Sequence, residues 1–477
     1  MLDLLSHLMS AAAGRCAYAD ARHVRRCDRR TSVRNGRVER LVSQESDGIG
    51  VRVRMGAGWG FAGTSDVSRA GAERALARAI AVAAAQPAAP AGPLAPVEPA
   101  RGDWASPFEI DPLGVAPEEQ CELLLAAEAG LRTDPRIARS EASCLAIRTE
   151  KAFASTEGAA CTQTLTECGA GLVAIALDGD ELQQRSFPGA HGDAAAAGWE
   201  HVLALDLAGH APRVAEEAIE LLTAPACPPG TRTVILGAEQ LALQVHESIG
   251  HALELDRILG AEASYAGTSW VAPEDVGSLR YGSELMHVTA DATLPGALGS
   301  FGWDDEGVAA QRVDLVREGV LAGALSSRES APEVGLAASA GCMRAADWSR
   351  QPIVRMTNVS LEPGDAGTLA DLVADTEDGL YLESNRSWSI DDRRLHFQFG
   401  TEVAREVRDG RLGRLYRNAS YAGVTPRFWA SLDAVCSASE WRLWSTLNCG
   451  KGEPGQSMHV SHGTAPARFR DVQVGVA

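Results

Sequence analysis

The chain has 477 residues, 45% hydrophobic and 22% charged, with 48 glycines and 22 prolines, which is ordinary globular material. Lysine and arginine number 44 against 63 acidic residues, a formal charge of -19, so the far field repels polyphosphate and anionic lipid and argues against nucleic-acid and membrane-surface partners. No apolar stretch approaches the ~18 residues a membrane span requires, and ten cysteines without a CxxC pair suit a reducing compartment, which makes cytoplasm the expected location.

At roughly 100–200 residues per domain the length implies two to three domains, and two is the working number. The opening segment lacks the basic lead of a secretion signal and is interrupted by Asp3 and His7. It reads as an amphipathic helix burying Leu5, Leu8, Met9 and Ala12. Arginine-dense strands follow, folded back at Asn35-Gly36, with the arginines expected to coat a solvated face. A strand Ile49–Met55 leads through a glycine-rich bend to an alanine-rich helix near Val67–Ala85, and then to a Pro/Ala spacer, Pro87–Pro99, expected at the surface. Pro117-Glu118-Glu119 opens a second helix, strands return through Leu172–Leu177 to a turn at Asp178-Gly179, and a helix near Val214–Leu222 closes this half. The same order of strands and then helix, met twice, hints at a distant duplication.

Prolines and a glycine in Thr223–Gly230 mark the domain boundary, cut near residue 226. Beyond it, one long helix, Glu239–Asp256, precedes many short strands with turns at Glu318-Gly319 and Asp409-Gly410. The expected class is α+β: an N-terminal domain of hairpins and helices, 1–226, followed by a β-rich domain, 227–477, that carries the long helix.

Two nucleotide-like motifs fail. Gly58-Trp-Gly60-Phe-Ala-Gly63 has dinucleotide-loop spacing, yet the position where an acidic strand residue is needed falls inside the alanine-rich helix, so a glycine-rich turn is expected. Gly450-Lys451 lacks the leading glycine and the magnesium-binding hydroxyl of a phosphate loop, since Ser445 and Gly452 stand there.

His246-Glu247-Ser-Ile-Gly-His251 carries the chemistry. Two histidines bracketing a glutamate is the arrangement of metal-dependent hydrolases, and an unrelated pair of core or surface histidines is the competing reading. The spacing is one residue longer than HExxH. On an ideal helix, residues five apart diverge by roughly 140° where residues four apart diverge by roughly 40°. A π-bulge absorbs the extra residue and returns both imidazoles to one face, so an irregular helix is expected, with Gly250 making the distortion sterically cheap.

The chain resembles the TldD/PmbA family of metallopeptidases. The resemblance rests on His246–Asp256, Gly302-Trp-Asp-Asp-Glu-Gly307, Arg355-Met-Thr-Asn358 and Asn448-Cys-Gly-Lys451, and more loosely on Asn35-Gly36-Arg-Val, Gly48-Ile-Gly-Val-Arg-Val and Gly60-Phe-Ala-Gly63. The intact motif points to the catalytic, TldD-like member. What the resemblance implies is a zinc ion held by His246, His251 and a C-terminal cysteine that maps onto Cys449. A thiolate completes a three-ligand site and leaves a fourth position for water; a nearby lysine or the metal itself favours the thiolate. Without the family, Cys449 is one of ten cysteines.

Glu247 is the expected general base. Glu254 and Asp256 are candidates to accept hydrogen bonds from the ligand imidazoles, with helix-end solvation as the alternative. His459 and His462 are rival ligands by type, expected instead at the surface or along the substrate path. Asp304, Asp305 and Glu306 invite a calcium or magnesium reading, but three acids between glycines are expected to shape a turn. The implied function is zinc-dependent hydrolysis of unfolded or modified peptides, in a heterodimer with a paralogue lacking the motif or in a homodimer. An extended substrate would add as a strand, with Gly379–Glu383 and Leu395–Phe399 as candidate lining strands and ordinary sheet as their plainer reading. Two other readings stay open: a zinc amidase acting on an aminoacylated metabolite, and a noncatalytic peptide-binding subunit.

Overall fold

The computed structural model describes residues 1–86, 92–190, 192–452 and 455–475. The fold is α+β. Helix α1 (Leu2–Ala12) buries Leu5, Leu8, Met9 and Ala12, the expected stripe. Strands β1 (Tyr18–Arg34), β2 (Arg37–Met55) and β3 (Gly58–Thr64) lead to α2 (Arg69–Ala84); then come β4 (Arg101–Ala105), α3 (Pro117–Ala129), β5 (Ile137–Ser155), β6 (Ala160–Asp178), β7 (Glu181–Phe187), β8 (Asp193–Ala195), α4 (Trp199–Ala204) and α5 (Leu207–Thr223). These strands form one sheet in the order β3-β2-β1-β5-β6-β4, with β7 and β8 also paired to β6. Two apolar clusters hold helices against it, one beneath α1 and α2 and one beneath α3 and α5.

Turn chemistry explains the hairpins. At Asn35-Gly36, Glu318-Gly319 and Asp409-Gly410 both residues are left-handed, with φ of 47° and 76°, 47° and 74°, and 49° and 71°, the backbone that matches strand twist across a two-residue turn. Gly60 belongs to β3 and serves packing: a Cβ there would lie 2.0 Å from the Ala79 carbonyl oxygen of α2. Of the spacer, residues 87–91 lie outside the described residues. The surface expectation fails at Ala95, which is buried and whose amide donates to the Arg328 carbonyl at 2.7 Å.

In the C-terminal half a seven-stranded sheet runs through Asp378–Ile390, Gly230–Leu236, Ala467–Val474, Ala419–Val424, His396–Arg408 and Arg411–Tyr416, with Leu432–Val435 beside Ala467–Val474. Asp378–Ile390 also pairs with His396–Arg408, which closes the sheet into a barrel. A two-stranded ribbon, Arg442–Lys451 with Gln456–Thr464, lies beside it. Asp304, Asp305 and Glu306 do form a turn, the Asp304 amide donating to Val308 at 2.9 Å. Their buried carboxylates also bolt the halves together: Asp305 pairs with Arg22 and Lys151, and Glu306 with Arg52, each at 3.2 Å. Such pairs add little net stability over an apolar contact, but removing one partner strands a buried charge.

Candidate metal centre

The expected continuous helix is broken into four pieces. Helix α6 (Ala238–Val245) passes into a π-helical turn, His246–Gly250, then a 3₁₀ turn, His251–Leu253, and a last α turn, Leu255–Ile258. The His251 amide bonds to the His246 carbonyl five residues back, and the wider turn brings both rings together, centroids 4.8 Å apart. Tyr281 donates its hydroxyl to the Ser248 carbonyl at 2.6 Å, satisfying a backbone group of the distorted turn. Gly250 has ordinary helical angles (φ −51°, ψ −63°), so its reason is space: a Cβ would lie 2.1 Å from the sulfur of Met356.

One donor atom each from His246, His251 and Cys449 lies within 4.8 Å of the others, and all three residues are buried. Hydrogen bonds fix which ring nitrogens are available. His462 Nδ1 lies 2.7 Å from the Val359 carbonyl oxygen, which only accepts, so that nitrogen carries the proton. Burial, then His246, hold the His462 pKa well below the usual range, so its Nε2 is an acceptor and receives the proton of His246 Nδ1 at 2.7 Å. His246 therefore keeps the lone pair of Nε2. His251 donates Nδ1–H to Glu254 at 2.9 Å, freeing its Nε2, which sits 3.7 Å from the Cys449 sulfur. Burial pushes both ring pKa values down, and neutral imidazoles are what a metal takes.

Burial pushes the Cys449 thiol up, but the Arg355 guanidinium and His251 outweigh it and leave the pKa below the ordinary thiol value. Arg355 Nη2 reaches the sulfur at 3.2 Å. The cation beside the thiolate is therefore Arg355 and not Lys451, whose ammonium goes to Asp256 at 2.7 Å and Glu254 at 3.3 Å. Asp256 thus has a different partner from the ligand imidazoles, whereas Glu254 accepts from one. The surface or substrate-path expectation fails for His462, which is fully buried behind His246, while His459 is half-buried and faces Glu167 at 2.5 Å.

Glu247 opens onto a cleft of about 260 Å³ shared with His246, His251 and Cys449. Asn385, Trp388 and Arg394 line its other wall; they flank the two candidate lining strands named from sequence, and no residue of Gly379–Glu383 or Leu395–Phe399 lines the cleft. Arg394 donates to Glu247 at 2.6 Å. Sequence reasoning assigned no role to Arg355 or Arg394 and weighed His462 only as a rival ligand, not as the partner of His246. Only Arg355 carried a signal, as the first residue of a family motif.

The family model for the PmbA/TldA metallopeptidase C-terminal domain matches residues 229–476, and those for domain 1 and the central domain match 19–83 and 110–224. The chain belongs to the PmbA/TldD family. Over 99% of its length it is 30% identical to a metalloprotease of Methanothermobacter thermautotrophicus, covering 98% of that protein. A zinc metalloprotease TldD homolog of Saccharolobus solfataricus is 26% identical over 52% of each chain. Among solved structures, TldE from Thermococcus kodakarensis superposes with a TM-score of 0.78 at 16% identity, over 99% of this chain and 100% of that one.

Proposed function

We propose that the chain is a TldD-like zinc peptidase that hydrolyses peptide bonds of unfolded or modified peptides. The observation that carries this reading is the convergence of His246, His251 and Cys449 beside the Glu247 carboxylate in an open cleft. The donor set fits zinc, with two neutral imidazoles whose outer nitrogens are occupied and a sulfur held below its ordinary pKa. Three protein ligands leave a coordination position open. When bound, the ion supplies a Lewis acid for the scissile carbonyl and a water whose pKa falls to about 7.

The chain's own groups do the rest. His246 and His251 are held in register by His462 and Glu254, Glu247 takes the proton of the attacking water, and the same carboxyl returns it to the leaving amine. Strand Asp378–Ile390 pairs with Gly230–Leu236 only as far as Leu382, the Asn385 amide donates to Glu239 at 3.2 Å, and the exposed stretch beyond it around Trp388 is where an extended substrate would be read through its backbone. The N-terminal domain, 1–226, and the peptidase domain, 227–477, form the two working units, in a heterodimer with a paralogue lacking the motif or in a homodimer. Ten free cysteines fit a cytoplasmic location; no described helix is long and apolar enough to cross a membrane.

The test compares zinc-loaded wild type with Glu247→Gln on unfolded peptides, with and without the paralogue. The variant should retain zinc and lose ~10²–10⁴ of the rate; near-normal turnover would remove Glu247 from the chemistry.

A further inference from the structure

Arg394 stands out among the residues around the cleft because its conformation is costly in two independent ways. It sits in the turn between strands Asp378–Ile390 and His396–Arg408 with φ of 61°, a left-handed backbone in a residue other than glycine. Its Nε is buried without a hydrogen-bond partner. Such strain persists where the surroundings force it and function uses it.

The surroundings do force it. The Arg394 amide bonds to the Asp391 carbonyl at 2.9 Å, the Asp391 side chain accepts from the Leu395 amide at 2.7 Å, and the Arg394 carbonyl accepts from the Thr425 hydroxyl at 2.8 Å. From outside the turn, the Trp270 amide donates to Arg393 and the Thr425 amide to Leu395, both at 2.8 Å. A rigid turn therefore aims one guanidinium into the cleft of His246, His251 and Cys449, with Nη1 on Glu247 and Nε unsatisfied.

We propose that Arg394 is a catalytic residue, the guanidinium that binds the oxyanion developing on the scissile carbonyl; the inference rests on the peptidase reading. As water adds to the carbonyl carbon, its O–H bond breaks toward Glu247, a C–O bond forms and the carbonyl π pair moves onto oxygen. Glu247, now protonated, loses its charge and its hold on Arg394 at the moment negative charge appears on the substrate. The guanidinium transfers its donors from the carboxyl to that oxyanion. Collapse restores C=O, breaks C–N and gives the Glu247 proton to nitrogen, so peptide and water yield acid and amine with no further reactant.

The experiment uses zinc-loaded full-length chain, with its paralogue where activity requires it, and peptides blocked at both ends alongside the same peptides with a free C-terminus. Arg394→Met should lower kcat by about 10²–10³-fold with KM and zinc content little changed. Its affinity for a phosphinate peptide should fall by a similar factor, while that for the parent amide holds. Added guanidinium should recover part of the rate of Arg394→Ala, which a merely structural role would not allow. Arg394→Lys carries the test if the other variants fold poorly, with an intermediate kcat expected. Turnover by Arg394→Met within about threefold of wild type would overturn the proposal, as would a loss confined to KM on peptides with a free C-terminus, which would assign the guanidinium to a terminal carboxylate. A wild-type chain that hydrolyses no peptide brings down the peptidase reading itself; an active wild type with equally active Arg394 variants brings down this inference alone.

Discussion

At the scale of single residues, the centre works because each ligand has one outward partner and one free donor atom. His462 sets the tautomer of His246 through a relay that ends on the Val359 carbonyl. Replacing it with alanine should weaken zinc binding by roughly 10–100-fold in a chelator competition, with Glu247 in place and the fold intact. Unchanged affinity would reduce His462 to packing. His246, Glu247 and His251 stood out in the sequence because their motif is local and chemically distinctive, whereas Cys449, 198 positions from His251, was named only through the family resemblance. Of the residues that support them, Glu254 was legible because it lies three positions from His251, and the distant ones were not. His462 lies 216 positions from His246 and Arg394 lies 147 from Glu247, so their meeting is a property of the tertiary fold. Lys451 was the nearer cation in sequence, but Arg355 is the one that reaches the sulfur.

At the scale of elements, local rules succeeded where one or two residues dictate backbone geometry. The Asn35-Gly36 and Asp409-Gly410 turns follow from left-handed tolerance, and the widened turn at His246–Gly250 follows from a five-residue histidine spacing that must serve one face. The break after Leu253 did not show in the sequence, since Glu254 leaves helical geometry (ψ 114°) without proline or glycine. The role of Gly250 was misjudged for a similar reason: what excludes a side chain is Met356, more than a hundred positions away. Gly250→Ala should destabilise the protein by ~1–3 kcal/mol in denaturant melts through overpacking, and Met356→Ala in that background should recover part of the loss. Full stability of the single variant would show that the methionine gives way freely.

At the scale of the whole molecule, the α+β class was legible from alternating strand and helix patterns, but barrel closure and the charged contacts between halves were not, because they join segments that no periodicity connects. Glu167 on β6 meets His459 on the C-terminal ribbon. Burial raises the Glu167 pKa, but His459 and nearby arginines outweigh it and bring it from 4.5 down to about 2. A carboxyl depressed in the folded state binds its proton more readily when unfolded, so its contribution is full above pH 4.5 and is lost as pH falls from 4.5 toward 2. Wild type should therefore lose melting temperature more steeply than Glu167→Gln across that window; parallel curves would contradict the link. The account as a whole depends on zinc bound by two imidazoles and one sulfur. Zinc K-edge X-ray absorption of the zinc-loaded chain tests that most directly: one sulfur near about 2.3 Å with nitrogens near about 2.0 Å is expected, and a shell of nitrogen and oxygen alone would contradict it.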